Sequence, residues 1–199
     1  THELFDDLTY RIIDASQKLA MERGAFAKFG ETNWAKGKVP VHFANEKAMK
    51  LTKYKPDMDK WNELAQRIKK HGIRNALLMA IAPTATSGKA INATESILPV
   101  VNFLYKEEGT TNITTIAPNF RKNNAYYKKA FDCDQMKLVE LAAIRQMYLD
   151  QAQSIDLYFV RPDSYAELMK VHLHAFDLGV KTLYYLKQSK GGAEEICES

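Results

Sequence analysis

Several features that define other protein classes are scarce or missing in this sequence. Its two cysteines, Cys133 and Cys197, are too few for a disulfide framework and predict a reducing, intracellular compartment, the cytoplasm. Nine glycines and six prolines are too few for a linker or a collagen-like chain. No apolar run approaches the roughly 18 residues that span a bilayer, and the first residues lack the apolar core of a signal peptide. We therefore expect neither a secreted nor a membrane-spanning nor a disordered protein.

The composition is that of a folded globular domain. The chain has 199 residues, of which 46% are apolar, 26% charged and 11% aromatic, and its formal net charge is +4. This length predicts about one domain, which can bury roughly 70% of the surface that the unfolded chain exposes.

Apolar spacing predicts a helical N-terminal third. The first helix ends at Arg23-Gly24, and its core-facing stripe is Leu4, Leu8, Ile12, Ala15 and Leu19. Residues 29–40 form a long ordered loop, because glycine and proline are mixed there with large aromatic side chains. The next helix is capped by Pro56-Asp57 and ends at His71-Gly72, with an apolar face made of Met58, Trp61, Leu64, Ala65 and Ile68.

Beyond this third, the pattern changes to short apolar runs. Ala76–Ala82 is apolar on both alternating faces, which predicts a strand buried in a parallel sheet. Further strand candidates are Val100–Tyr105 and Asn112–Ile116, joined by the turn Glu107-Glu108-Gly109, then Ile155–Phe159 and Val180–Leu186.

Two helices separate these later strands. Asp134 opens one that carries Leu138, Leu141 and Leu149, and Pro162-Asp163 opens another that Gly179 stops. Strands alternating with helices predict an α/β fold with a parallel sheet.

The segment Pro83-Thr84-Ala85-Thr86-Ser87-Gly88 follows the first predicted strand and precedes a helical turn. Small residues and hydroxyls at that place let backbone N–H groups approach an anion. The segment is not a Walker A loop, because the first glycine is missing and Lys89 is followed by Ala90. Phosphate binding and an ordinary strand-to-helix loop both remain open on the residues alone.

Two adjacent tyrosine pairs occur in the sequence. On a strand, Tyr184 and Tyr185 point to opposite faces, which predicts one ring in the core and one exposed. Tyr126 and Tyr127 lie in the basic segment Arg121–Lys129, for which nucleic-acid binding and a solvated helix face are the alternatives.

No metal site is predicted. His172 and His174 are two residues apart on a predicted helix, so their side chains diverge and do not share a metal ion there. Cys133 lies between Asp132 and Asp134, and this negative charge disfavours a thiolate and predicts an inert thiol. Cys197, near the end of a polar tail, is instead placed to reach a partner.

Three blocks of sequence resemble the C-terminal part of the class I ribonucleotide reductase large subunit. The first is Arg74–Ser87 followed by Asn92–Glu95, the second is Asp150–Leu157 and the third is Phe176–Leu186. They occur in the family's order and span most of the chain.

The resemblance implies a fold and two site groups. The family's catalytic domain is a ten-stranded α/β barrel, of which residues 1–187 would be the second half, with parallel strands and outer helices. The segment similar to the family's substrate diphosphate loop is Pro83, Thr84, Ala85, Thr86 and Ser87. Tyr184 and Tyr185 match the pair that relays an oxidising equivalent from a small subunit, which carries a dinuclear metal centre and a radical. This chain itself would bind no cofactor.

The family's C-terminal tail carries two cysteines that re-reduce the active-site disulfide and are themselves reduced by thioredoxin or glutaredoxin. The resemblance implies this role for residues 188–199, in which Cys197 is the cysteine present. The family also needs a thiyl-forming cysteine on a finger loop, two further electron-delivering cysteines and an allosteric nucleotide site. Neither Cys133 nor Cys197 lies in such a context. We expect a part of a ribonucleoside-diphosphate reductase, from a split gene or a trimmed chain, that is inactive until it joins the complementary N-terminal part. The alternative is a non-catalytic module that binds nucleic acid through Arg121–Lys129.

Overall fold

The computed structural model describes residues 1–107, 113–160, 165–189 and 196–197. The chain divides into two compact units. Unit 1 consists of Thr1–Ala80, Glu140–Ala152 and His174–Lys181, and unit 2 of Ile81–Val139, Gln153–Leu173 and Thr182–Ser199.

Helices and strands both occur, as the sequence predicts. The helices are α1 His2–Arg23, α2 Glu46–Lys50, α3 Met58–His71, α4 Ala85–Ala90, α5 Phe120–Asn123, α6 Gln135–Gln146 and α7 Tyr165–Asp177. The strands are β1 Leu104–Glu107, β2 Ile113–Ile116, β3 Leu157–Val160, β4 Leu186–Ser189 and β5 Ile196–Cys197. Single 3-10 turns lie at Phe29–Glu31, Pro40–Phe43, Asn124–Tyr126 and Ala130–Asp132.

The helix predicted after Pro56-Asp57 is confirmed as α3 in unit 1, where both the predicted cap and most of the predicted apolar face are observed. The carboxylate of Asp57 accepts hydrogen bonds from the backbone N–H groups of Asp59 and Lys60, each at 3.1 Å. Met58 is 39% exposed and lies outside the core. The side chains of α3 that are buried are Trp61, Leu64, Ala65 and Ile68.

Helix α1 packs against α3 but buries a different face from the predicted one. Leu4 is 64% exposed and Leu8 is 41% exposed, so the predicted stripe is wrong. The buried face consists of His2, Phe5, Asp6, Thr9, Ile13, Ser16, Gln17 and Ala20. Other side chains bond to several of these polar groups, as Nη1 of Arg67 does to Oε1 of Gln17 at 3.0 Å.

The predicted buried strand at Ala76–Ala82 is wrong. Within unit 1, the backbone N–H groups of Leu78 and Met79 donate to the two carboxylate oxygens of Asp150, at 2.8 and 2.7 Å. Within unit 2, Ile81 forms an isolated parallel bridge with Gln153. A side-chain carboxylate therefore takes donors that a neighbouring strand would use, and the segment is largely exposed.

In unit 2, β3 and β4 pair in parallel and α7 lies between them in the chain, which confirms the predicted βαβ order. Leu157 lies opposite Leu186, and Val160 lies opposite Ser189. Of the strand predicted at Val180–Leu186, only Leu186 lies in a strand. The observed strand β4 extends from there to Ser189, along the residues that pair with β3. The predicted helix start at Pro162-Asp163 lies outside the described residues.

The other predicted strand pair is a hairpin. β1 and β2 are antiparallel, with Leu104 opposite Ile116 and Glu107 opposite Ile113. β1 therefore starts later than the predicted Val100, and the predicted turn residues 108 and 109 lie outside the described residues.

Strand β5 pairs antiparallel with β4, giving the order β3-β4-β5. β4 runs across the predicted boundary between residues 187 and 188. Residues 190–195 and 198–199 of the predicted tail lie outside the described residues. The ten-stranded half-barrel stays a prediction.

Candidate functional site

The predicted diphosphate loop lies in unit 2, where the chain enters the short helix α4. Oγ1 of Thr84 accepts a hydrogen bond from the backbone N–H of Ser96 at 2.7 Å, and the hydroxyl of Ser96 donates to the carbonyl oxygen of Ala82 at 3.1 Å. Thr86 and Ser87 are exposed. Hydrogen bonds to Ser96 thus hold the start of the loop, while the hydroxyls of Thr86 and Ser87 face solvent.

Gly88 keeps this loop compact. Its N–H donates to the carbonyl oxygen of Thr84 at 2.7 Å, and its carbonyl oxygen accepts from the N–H of Ala93 at 2.8 Å. A Cβ at this position would lie 3.2 Å from the carbonyl oxygens of both Ala93 and Thr94. The backbone therefore approaches itself at a distance that only glycine tolerates without a shift.

Tyr184 and Tyr185 also lie in unit 2 and form a tyrosine pair whose rings are in contact. The ring centroids are 4.1 Å apart, and the ring planes are tilted by 52°. Tyr184 is 52% exposed and Tyr185 is 45% exposed. The prediction of one core ring and one exposed ring is wrong, because both residues precede β4 and do not alternate as they would in a pleated strand.

The sequence reasoning missed an ion pair beside the tyrosine pair. Nζ of Lys187 lies 2.9 Å from Oδ2 of Asp156, and their side chains are only 16% and 4% exposed. The same ammonium nitrogen lies 6.0 Å from the ring centroid of Tyr185 and 5.7 Å from that of Tyr158. No local spacing signals this ion pair, because Asp156 and Lys187 are far apart in the chain and meet only where β3 pairs with β4.

The basic segment Arg121–Lys129 uses one of its two tyrosines for packing. The ring of Tyr127 meets those of Phe103 and Phe120 edge-on, at centroid distances of 6.1 and 5.4 Å, and its hydroxyl donates to the carbonyl oxygen of Pro118. Tyr126 is 89% exposed. Internal packing therefore accounts for Tyr127.

The structure supports the interpretation of Cys133 as an inert thiol. Burial raises the pKa of the Cys133 thiol, Lys128 opposes this increase and Asp132 adds to it. Its Sγ lies 3.3 Å from the carbonyl oxygen of Lys129, to which the thiol donates. A thiol with a raised pKa holds little thiolate at neutral pH and is a poor nucleophile.

The two histidines of α7 have different neighbours. Nδ1 of His172 lies 2.8 Å from the carbonyl oxygen of Leu168, and Nε2 of His174 lies 3.6 Å from a carboxylate oxygen of Glu140. Across the described ranges, no three His, Cys, Asp or Glu side chains are grouped to hold a metal ion. In the same part of the chain, none of the helices has the length and apolar character needed to cross a membrane.

Unit 1 contains an open cavity of about 600 Å³ that the sequence did not predict. Two of its polar lining groups are engaged within the protein, since Nε1–H of Trp34 donates to the carbonyl oxygen of Ala76 and Nζ of Lys181 donates to that of Asp150. A ligand pocket needs polar groups that are free to converge on the ligand. The family resemblance falls on the loop and the tyrosine pair in unit 2, which remain the candidate site.

Comparison with known proteins gives a family match over most of the chain. The family model described as "Ribonucleotide reductase, barrel domain" matches residues 1–123 and 109–186. These matches include both the predicted diphosphate loop and the tyrosine pair.

Curated relatives agree with this match. The chain is 33% identical to "Ribonucleoside-diphosphate reductase subunit alpha" of Helicobacter pylori (strain J99), over 96% of this chain and 25% of the relative. It is 31% identical to the protein of the same name from Buchnera aphidicola subsp. Acyrthosiphon pisum, over 100% of this chain and 28% of the relative. It is 30% identical to "Ribonucleoside-diphosphate reductase 1 subunit alpha" of Escherichia coli (strain K12), over 98% and 26%. The chain thus spans about a quarter of the length of these relatives.

Proposed function

The chain belongs to the ribonucleotide reductase barrel-domain family, and on this premise we propose that it supplies two working parts of a ribonucleoside-diphosphate reductase. The first is the loop Pro83–Ser87, which holds the diphosphate of the substrate. The second is the pair Tyr184 and Tyr185, which passes an oxidising equivalent toward the substrate. Together they contribute to the reduction of ribonucleotides to deoxyribonucleotides.

The contact between the two tyrosine rings is the observation that carries this proposal. When one phenol of the pair has become a phenoxyl radical, the other restores it by giving up an electron and its phenolic proton. This exchange needs two phenols in direct contact, and the centroid distance of 4.1 Å provides that contact. Both rings are about half exposed, so a partner that delivers the oxidising equivalent can reach them.

The loop suits a diphosphate for a separate reason. The first N–H groups of a helix have no partner within the helix, so they are available to an anion where α4 begins at Ala85. The exposed hydroxyls of Thr86 and Ser87 add donors beside these groups. Because Thr84 and Gly88 fix the loop through their own bonds, the donors are held in place before a ligand binds.

The remaining parts of the reaction come from partners. We propose that the chain is the second half of a ten-stranded barrel and joins a complementary N-terminal part, which brings the thiyl-forming cysteine. Joining the two halves removes unpaired strand edges. A small subunit with a dinuclear metal centre supplies the radical. Thioredoxin or glutaredoxin would reduce the disulfide formed by the family's two tail cysteines, one of which corresponds to Cys197.

A complementation assay tests this function. The chain is mixed with the complementary part of a large subunit and with the small subunit, and formation of deoxynucleoside diphosphate is measured. We expect turnover only when all three are present and none from the chain alone. Turnover at the same rate without the chain would contradict the proposal.

Family membership and the packing of Tyr127 do not favour the nucleic-acid module. A salt titration separates the two functions. Binding through phosphate contacts weakens by powers of ten between about 50 and 200 mM salt. We expect no such binding of the chain to DNA or RNA.

A further inference from the structure

Three contacts attach the segment that carries the tyrosine pair to residues 155–157, where β3 begins. The N–H of Tyr184 donates to the carbonyl oxygen of Ile155 at 2.8 Å, and the N–H of Leu157 donates to the carbonyl oxygen of Tyr185 at 2.9 Å. Between these two backbone bonds lies Asp156, whose carboxylate holds the ammonium of Lys187 at 2.9 Å. Two main-chain bonds and one ion pair thus bracket the tyrosine pair.

The ion pair lies inside the protein. Tyr158 is opposite Lys187 in the β3-β4 register and is 3% exposed. The hydroxyl of Tyr158 lies 3.5 Å from Oδ2 of Asp156, and the ring of Phe131 meets the ring of Tyr158 edge-on at 5.4 Å. A buried ion pair adds little net stability compared with apolar residues of similar volume, although removing one partner alone is costly. The contribution of this pair to the free energy of unfolding is therefore expected to be small, which leaves a role in positioning its neighbours.

We propose that Asp156 and Lys187 are positioning residues that hold Tyr184 and Tyr185 in contact. The rings are about half exposed, so the surrounding protein holds them only in part. Their contact depends on the path of the backbone from residue 184 to residue 187, and the ion pair fixes the far end of that path. Neither Asp156 nor Lys187 contacts a reacting atom in this role.

This inference rests on the proposed relay and predicts how it fails. Loosening the segment separates the phenols and slows the passage of the oxidising equivalent. Substrate binding depends on the loop at residues 83–87, whose described hydrogen bonds involve neither Asp156 nor Lys187. Loss of the pair therefore lowers kcat and leaves KM unchanged.

A double variant separates positioning from stability. Asp156→Leu with Lys187→Met removes both charges together and keeps an apolar volume, so folding is expected to survive. 3-Fluorotyrosine is placed at residue 185 in the full chain, and its ¹⁹F resonance is recorded with and without the double variant. We expect the resonance to move toward that of free 3-fluorotyrosine. In the complementing assembly, we expect kcat to fall at least tenfold with KM unchanged.

Two matched controls accompany this experiment. Tyr158→Phe removes the hydroxyl beside Asp156 but leaves the ion pair, and 3-fluorotyrosine at Tyr127, whose ring packs against Phe103 and Phe120, reports any general loosening. Both controls are expected to behave like the parent chain. If the double variant does not fold, Asp156→Asn with Lys187→Gln removes both charges while keeping polar side chains of similar length, and is expected to move the residue-185 resonance in the same direction by less.

An unchanged resonance at residue 185 in the folded variant, with parent-like turnover, overturns the positioning role. The NMR measurement does not depend on reductase activity. If Tyr184→Phe retains full turnover, the relay itself is wrong, whereas the resonance still decides whether the ion pair holds the tyrosines.

Discussion

The indole Nε1–H of Trp61 donates to Oδ1 of Asp6 over 2.7 Å, and this bond joins α3 to α1 inside unit 1. The other carboxylate oxygen of Asp6 accepts the hydroxyl of Tyr54 at 2.6 Å, which raises the pKa of Tyr54 to about 12. Trp61 is 1% exposed, so its N–H has no access to water when Asp6 is removed. One carboxylate thus satisfies two donors from different segments.

Asp6→Ala is therefore expected to lower the free energy of unfolding of unit 1 by about 3 kcal/mol, because a buried donor loses a charged acceptor. Urea unfolding followed by tryptophan fluorescence measures this, since Trp34 and Trp61 both lie in unit 1. Asp7→Ala is the control. Its ion pair with Arg11 is exposed, so a much smaller change than that of Asp6→Ala is expected. Equal effects of the two changes would show that the buried bond is not special.

Asp14 predicts a pH dependence. Burial by itself raises the pKa of Asp14, but hydrogen bonds from Lys18 and Arg67 outweigh burial and lower the pKa below its ordinary value. A carboxylate with a lowered folded pKa adds stability above its unfolded pKa of about 3.9 and loses it as the pH falls through the folded value. Asp14→Asn should therefore cost about 1 kcal/mol at pH 7.

This cost should shrink as the pH falls below about 4. Urea unfolding of the parent chain and the variant from pH 7 to pH 2 measures it. A cost that stays constant over this range would mean that the charge of Asp14 does not stabilise the contact between α1 and α3.

The diphosphate loop predicts a binding defect. Thr86→Ala with Ser87→Ala removes two exposed hydroxyls and leaves the bond between Thr84 and Ser96 intact. A diphosphate is held equally in the ground state and the transition state, so KM should rise about tenfold while kcat changes little. Steady-state kinetics of the complementing assembly with a nucleoside diphosphate provide the test. An unchanged KM would assign these hydroxyls no part in binding.

The sequence was sufficient where one local signal decided the structure. Asp57 caps α3, and the spacing of Trp61, Leu64 and Ile68 defines its buried face, so the helix and its packing followed from the residues. The βαβ order around α7 followed in the same way, because strand-like and helical periods alternate there.

The sequence was insufficient where distant side chains decided the structure. Helix α1 has an apolar stripe through Leu4 and Leu8, yet it buries Asp6 and Gln17, whose partners lie on α3. Spacing within α1 carries no information about those partners. The apolar run at Ala76–Ala82 likewise predicted a strand, but Asp150 takes two of its backbone donors.

The candidate site shows the same division. The motif predicted a loop at residues 83–88 followed by a helical turn, whereas the short helix already begins inside this segment, at Ala85. The arrangement of Tyr184 and Tyr185 was mispredicted because strand alternation does not apply before β4 begins. The ion pair of Asp156 with Lys187 was missed because its partners are far apart in the chain and meet only through the β3-β4 register.

The central claim is that Tyr184 and Tyr185 act as a relay, and turnover by tyrosine-to-phenylalanine variants tests it most directly. Phenylalanine keeps the ring and its packing but cannot lose a phenolic proton. Tyr184→Phe and Tyr185→Phe should each cost at most about 1 kcal/mol of folding stability and leave substrate binding intact. In the complementing assembly with the small subunit, each change is expected to abolish formation of deoxynucleoside diphosphate, while Tyr126→Phe leaves it unchanged. Losses of only two- or three-fold would show that the two rings pack without relaying and would contradict the account.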